Sequence, residues 1–207
     1  MSIEKAYNSW ADQYDTNKNL TRDLDKQVTI ETLSKYRFEQ VLELGCGTGK
    51  NTQWLLSVAA NVIGLDFSQE MLNKAETKIN DDCVSFRKAD LNLPWEIEND
   101  FADLITSSLT LEHIKDLEHI FSQAKDKLKP SGLFFVCELH PFKHYSGSQA
   151  KFETEDGTQE LEVYTHHISD YINAAKECNL ELIEVKEWFD GETQIELPRL
   201  VSFVFRK

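Results

Sequence analysis

The chain has 207 residues, 41% hydrophobic and 28% charged, with 22 Lys and Arg against 36 Asp and Glu for a formal net charge of −14. That length suits one packed domain, and only 8 Gly and 4 Pro exclude collagen-like and low-complexity chains. So acidic a chain, with no basic stripe, argues against nucleic acid as a partner, and no apolar run approaches the ~18 residues a membrane helix needs.

In chain order, residues 1–36 read as a helical cap, with Leu24, Val28 and Leu33 at loosely helical intervals and Tyr7, Trp10 and Tyr14 on one face. Residues 41–44 form a strand-like run that stops at Gly45. A helical pattern follows over residues 51–60, through Trp54, Leu55 and Val58. Residues 62–65 are a second strand ending at Asp66, and Ser68 is placed to cap a helix carrying Met71, Leu72, Ala75 and Ile79 on one side. Strands follow at 84–88 and 101–106. Leu117, Ile120, Phe121, Ala124 and Leu128 mark a helix that Pro130-Ser131-Gly132 breaks. A fifth strand spans 133–139. Residues 141–165 carry Asp156-Gly157 between alternating residues, the pattern of a small hairpin. Ile168, Tyr171, Ile172 and Ala175 mark a last helix before strands near 180–188 and 200–205.

Strands alternating with helices predict an α/β, doubly wound, mostly parallel seven-stranded sheet. The last two strands, joined without a helix, should pair antiparallel at one edge. The expected organisation is one domain: a helical cap at 1–36, a cofactor-binding half at 37–140, an inserted hairpin at 141–165 serving as lid or dimer contact, and a C-terminal helix and strand pair at 166–207. Cap and hairpin can both cover the carboxyl ends of the strands, where open α/β sheets bind ligands. Cys46, Cys83, Cys137 and Cys178 lie far apart without a C-x-x-C pair and read as reduced thiols. With no basic-then-apolar leader at the N-terminus, the expected location is cytoplasmic.

The most informative stretch is the glycine loop Glu43-Leu44-Gly45-Cys46-Gly47-Thr48-Gly49-Lys50-Asn51. A phosphate-binding G-x-x-x-x-G-K-[ST] loop fails here, because Leu44 takes the first glycine position and Asn51 replaces the magnesium-binding hydroxyl. A dinucleotide G-x-G-x-x-G loop fails at Lys50. The remaining pattern, with Ile63-Gly-Leu-Asp66, Lys88-Ala-Asp90, residues 101–114 and residues 128–136 in order, resembles the class I, Rossmann-like S-adenosylmethionine-dependent methyltransferases. The overall pattern is closest to their small-molecule branch, which includes quinone-biosynthesis and malonyl-carrier methyltransferases; residues 141–165 match neither type.

The resemblance implies S-adenosyl-L-methionine as cofactor and S-adenosyl-L-homocysteine as product. It implies that Gly45, Cys46, Gly47 and Gly49 cradle the methionine and ribose portions, with Glu43 near the amino group or an ordered water. Asp66 would accept the ribose hydroxyls, Phe67 lie against the adenine, Asp90 accept the adenine amino group and Leu91 offer a backbone amide. Residues 101–114, with Ser107 among the cofactor contacts, would lie beside the transferred methyl. Tyr14 would reach the cofactor carboxylate or line the acceptor pocket, and Arg22 in the same cap could contact an acidic acceptor.

A sulfonium methyl is already activated, so the protein must mainly align the acceptor and exclude water. A general base helps for a hydroxyl or ammonium acceptor. Glu138 and His140, two residues apart, share a face at the end of the fifth strand. His113, His144, Tyr145, Tyr164, His166 and His167 fall in segments expected at the same rim, and His140 and His166 are the catalytic candidates. No metal-ligand spacing is present, so no metal is expected. The expected activity is methyl transfer to a small organic acceptor, at O or N rather than C, by a monomer or homodimer without membrane insertion. A nicotinamide-dependent oxidoreductase is the alternative that Lys50 and Asp90 argue against. A non-catalytic cofactor-binding scaffold is the other, and it would lack an enclosed pocket.

Overall fold

A computed structural model describes residues 3–14, 19–146, 151–154, 157–160, 163–191 and 197–207. Helices α1 (Ile3–Tyr14) and α2 (Leu20–Leu33) precede β1 (Phe38–Leu44). The one-turn α3 (Thr52–Leu55) leads to β2 (Ala59–Asp66), α4 (Gln69–Lys78), β3 (Val84–Lys88) and β4 (Ala102–Ser108). A 3-10 turn (Leu111–His113), α5 (Leu117–Lys127) and β5 (Leu128–Leu139) follow. Then come α6 (Pro141–Tyr145), β6 (Lys151–Thr154), β7 (Gly157–Glu160), α7 (Ile168–Glu177), β8 (Glu181–Trp188) and β9 (Leu200–Arg206).

Seven strands form one sheet in the order β3-β2-β1-β4-β5-β9-β8. The first five run parallel, and their apolar runs are continuous because helices cover both faces. On one face Leu42, Leu44, Ile105, Phe134 and Val136 pack with α5 and α7. There Phe121 meets Phe134 and Phe205 edge-on, both at 5.2 Å between ring centroids. On the other face Val41, Leu104, Phe135 and Cys137 pack with Val28 and Leu33 of α2 and Leu55 of α3. The strand order reverses between β1 and β4, which opens a crevice at their carboxyl ends.

The expected antiparallel pair stands at the edge: β9 runs against both β5 and β8, so the reversed strand lies one in from the outer β8. Ser68 caps α4 as its position suggests, its hydroxyl accepting from Met71 N at 3.2 Å. The helical pattern over 51–60 shrinks to α3, because pairing of Ala59 with Phe38 claims the following residues for β2. Helix α5 stops at Lys127, and β5 absorbs Leu128 and the Pro-Ser-Gly break at a register shift opposite Ala102 and Leu104. The hairpin β6–β7 pairs antiparallel; residues 155–156 at its tip lie outside the described residues. Among the described residues no helix is long and apolar enough to cross a membrane.

Candidate functional site

Helix α1 lies across the carboxyl ends of the strands and is fastened there by specific contacts. Asn8 Oδ1 accepts from Ser68 Oγ (2.7 Å) and Glu70 N (3.3 Å) at the start of α4. Glu4 pairs with Lys88 at 2.7 Å. Tyr7 stands edge-on to Phe67 and His113, with centroids 5.7 and 5.5 Å away. Beneath α1 is a cavity of about 540 Å³. Its walls are Gly45 and Gly47 after β1, Asp66 and Phe67 after β2, Asp90 and Leu91 after β3, residues 108–110 and His113 after β4, and Tyr7 and Tyr14 of α1.

Asp66 organises the first wall. Its Oδ2 accepts from Gly47 N at 2.9 Å and its Oδ1 from Ser68 N at 2.8 Å, so one carboxylate ties the glycine loop to the start of α4. A carboxylate oxygen has two lone pairs, which leaves both oxygens able to accept from a ligand. Burial pushes this carboxyl up despite those amides, which act in the opposite sense. Asp90 is exposed, and its Oδ1 holds Asn92 N and Nδ2 at 2.9 and 2.8 Å.

A smaller annex of about 50 Å³ shares Tyr14, Gly45, Gly47, Ser108 and Leu109 with the main cavity. Arg22, Asp25, Glu43, Asn51 and Thr106 complete it. Glu43 accepts the Thr52 hydroxyl, yet burial, helped by the Asp25 and Asp66 carboxyls, pushes it up to about 8.

The wall after β4 is held under strain. Leu109 has φ 53°, a left-handed conformation that costs a branched side chain ~1–2 kcal/mol and tends to occur where function demands it. Glu138 at the end of β5 fixes the residues that follow, its Oε1 accepting from Thr110 N (3.0 Å) and Leu111 N (2.9 Å). His113 Nε2 then lies 2.8 Å from the Tyr7 hydroxyl and 3.8 Å from Glu112 Oε1. Burial pushes Glu112 up to about 7 and, ahead of the opposing amide bonds, Glu138 up to about 8.

Those three raised carboxyls, Glu43, Glu112 and Glu138, fix a sign for stability. An unfolded Glu loses its proton near pH 4.3, whereas the folded chain keeps these protons to about 7 and 8. Their stabilising effect is therefore complete below about pH 4.3 and lost as pH rises through 7 and 8. The expected result is a melting temperature that falls from pH 5 to pH 8.5, read by scanning calorimetry. A melting temperature rising over that interval would contradict the assignment.

The structure brings together Tyr14, Gly45, Gly47, Asp66, Phe67, Asp90 and Leu91 on the main cavity, and Glu43 and Cys46 on the annex. Four expected contacts lie elsewhere. Gly49 (φ 76°) serves packing, since a Cβ there would come within 2.9 Å of Ile79. Ser107 is wholly buried on the opposite side of β4, and Ser108 lines both cavities in its place. His140 spends Nε2 on Glu187 (2.9 Å) and Nδ1 on Phe142 N (3.2 Å). His166 Nε2 is bound to Ile114 O at 2.7 Å. Among the described residues His113 is the histidine that reaches the cavity, and no cluster of three or more metal-ligating side chains is present. The sequence reading had no signal for Asp25, Asn51 or Leu109.

A family model described as "Methyltransferase domain" matches residues 42–136. The chain is 31% identical to an uncharacterized methyltransferase of Emericella nidulans, over 86% of this chain and 76% of that one. It is 30% identical to an uncharacterized protein of Haemophilus influenzae, spanning 72% of this chain and 61% of that protein's length. A malonyl-[acyl-carrier protein] O-methyltransferase of Priestia megaterium is 32% identical over 63% of this chain and 48% of its own. In fold the chain is similar to DhpI, solved as a complex with SAH, at TM-score 0.75 and 21% identity over 98% of this chain and 93% of that one.

Proposed function

The chain belongs to the methyltransferase family, and we propose that it moves the methyl group of S-adenosyl-L-methionine onto an oxygen or nitrogen of a small organic acceptor, releasing S-adenosyl-L-homocysteine. The observation that carries this reading is the sequence of groups along one cavity wall. Asp90 and Leu91 follow β3, the doubly anchored Asp66 and Phe67 stand at the end of β2, and Gly45 and Gly47 follow β1, three neighbouring strands of the sheet, while Tyr7 of α1 and His113 line the same cavity. A buried carboxylate preset by two backbone amides suits a ribose diol, and a volume of about 540 Å³ falls in the range of small-molecule sites. The unpaired acceptors of the annex, Asp25 Oδ1 and Asn51 Oδ1, suit a ligand that brings N–H donors.

When bound, the cofactor supplies an electrophilic methyl on a sulfonium. The chain's own residues do the rest. Helix α1 roofs the cavity and keeps water from it. His113, touching Tyr7 and close to Glu112, accepts the acceptor's proton, and Glu138 holds the peptide that carries His113. This site is the proposed base in place of His140 and His166, neither of which lines the cavity. One domain working as a monomer or homodimer in the cytoplasm, with residues 141–165 as lid or dimer contact, completes the proposal.

Calorimetry with S-adenosyl-L-methionine and S-adenosyl-L-homocysteine tests it. Both compounds are expected to bind the wild type. Asp66→Ala and Asp90→Ala should each weaken binding by ~1–3 kcal/mol, because each removes the partner of a polar ligand group. Absence of binding, or affinity unchanged in both variants, would mean the cavity serves something else.

A further inference from the structure

The part of the main cavity beneath α1 is walled by rings and backed by carboxyls. Tyr7, Tyr14, Phe67 and His113 all line it. The Tyr7 ring centroid lies 5.5 Å from that of His113, 5.7 Å from Phe67 and 6.3 Å from Tyr14. An aromatic face carries negative potential and draws cations. Beside the rings stand Glu112, whose Oε1 is 3.8 Å from His113 Nε2, and Glu138, whose Oε2 is buried without a hydrogen-bond partner. Both act on the Tyr7 phenol together with Asp66: burial first, then Tyr14 and these three carboxyls, raise it well above its ordinary value.

The basic side chains nearby are spent on other partners. Among the described residues Lys88 is the one lysine or arginine on the wall of this cavity. It ends β3, and its Nζ pairs with Glu4 at 2.7 Å. Arg22, the sequence's candidate for an acidic acceptor, lies on the annex, where it stacks 4.0 Å over the Tyr14 ring and donates to Tyr14 O. A carboxylate or phosphate entering beneath α1 would therefore lose its water beside groups of its own sign, which is costly. A neutral hydroxyl gains little from the same surroundings. A cation gains from the rings and from the carboxyls at once.

We infer that the methyl acceptor is a small amine that enters as its ammonium, received by the rings of Tyr7, Tyr14 and Phe67 with Glu112 supplying the opposing charge. The inference rests on the methyl-transfer reading above and narrows its acceptor atom from oxygen or nitrogen to nitrogen. An ammonium has no lone pair, so one N–H bond must break before the nitrogen can act. The electron pair stays on nitrogen and the proton goes to His113. Glu112, 3.8 Å from His113 Nε2, favours the imidazolium that results. One carboxyl thus serves both the arriving cation and the base that discharges it.

The test is calorimetry at pH 8 on the full chain saturated with S-adenosyl-L-homocysteine. Burial raises Glu112 to about 7, so at that pH it is ionised while a simple alkylamine is protonated. The probes are ethylamine, ethanol and acetate, and benzylamine, benzyl alcohol and benzoate. At least one amine is expected to bind ~10-fold or more tightly than its alcohol, with the carboxylate weaker than either. In Glu112→Gln that ratio should fall below about threefold, with the affinity for S-adenosyl-L-homocysteine within a few-fold of wild type. The wild-type ratio is read without any variant and so does not depend on how Glu112→Gln folds. An alcohol or carboxylate bound as tightly as its amine, no binding of either amine, or a full ratio in Glu112→Gln overturns the inference while leaving the cofactor reading in place. Failure of S-adenosyl-L-homocysteine itself to bind overturns both.

Discussion

His113→Ala should lower the rate of methyl transfer by ~10²–10⁴-fold, the range that a positioned general base contributes, while leaving the affinity for S-adenosyl-L-homocysteine within a few-fold of wild type. His113 lines the main cavity, where its Nε2 is held by the Tyr7 hydroxyl at 2.8 Å. The first wall of the cavity is fixed independently, through Asp66 and its two backbone amides, so binding and chemistry separate. Tyr7→Phe keeps the ring contacts with Phe67 and His113 and removes only the hydroxyl. It should therefore cost less rate than His113→Ala. Single-turnover transfer on preformed cofactor complex, with a hydroxyl or amine acceptor that the wild type methylates, measures both variants. Free imidazole restoring part of the His113→Ala rate would identify the lost group as a proton acceptor. A His113→Ala rate equal to wild type would end the assignment.

What could be read from sequence followed how local each feature is. The strand ends carrying Gly45, Asp66 and Asp90 are short and contiguous, so hydrophobic period and turn residues place those ends within a residue, although β1 and β2 each begin three residues before the apolar run does. Ser107 and Ser108 mark the limit of that approach. Side chains alternate across a strand, so an error of one position moves a hydroxyl from the cavity into the sheet's other face. His140 and His166 fail for a different reason. Their partners, Glu187 and Ile114 O, lie 47 and 52 residues away in the chain, and no local pattern announces that a ring is already committed. Asp25 was invisible on the same ground. On an exposed helix it would be an ordinary solvated acid, and only the docking of α2 against β5 and β9 buries it. The truncated α3 and the extended start of β5 are tertiary overrides, in which sheet pairing outcompetes a helical apolar period.

Gly45→Ala should weaken cofactor binding by at least ~30-fold while the protein still folds, and two separable causes add to that result. Gly45 has φ 66°, and an added Cβ would sit 2.2 Å from Thr110 Oγ1, 2.6 Å from its Cγ2 and 2.9 Å from its Cβ. Thr110 cannot step aside cheaply. Its amide is bound by Glu138 and its hydroxyl donates to Ser108 O at 3.0 Å. The methyl group must therefore push apart the glycine loop and the turn that carries His113, an overpacking cost of ~1–3 kcal/mol on top of ~1–2 kcal/mol for the left-handed backbone. Together these correspond to a loss of ~30- to 1,000-fold or more in affinity if the strain is relieved by opening the loop. Gly47 offers the internal comparison, because its φ is 53° but nothing lies within 4 Å of a Cβ there. Gly47→Ala should show the backbone part alone, roughly tenfold. The double variant Gly45→Ala/Thr110→Ala removes the two atoms struck hardest, Oγ1 and Cγ2, leaves the Cβ contact at 2.9 Å, and should recover affinity most of the way toward the Gly47→Ala level. A Gly45→Ala protein that binds S-adenosyl-L-homocysteine as well as the wild type would show that the loop yields freely, and the close approach of the two turns would then have no part in shaping the site.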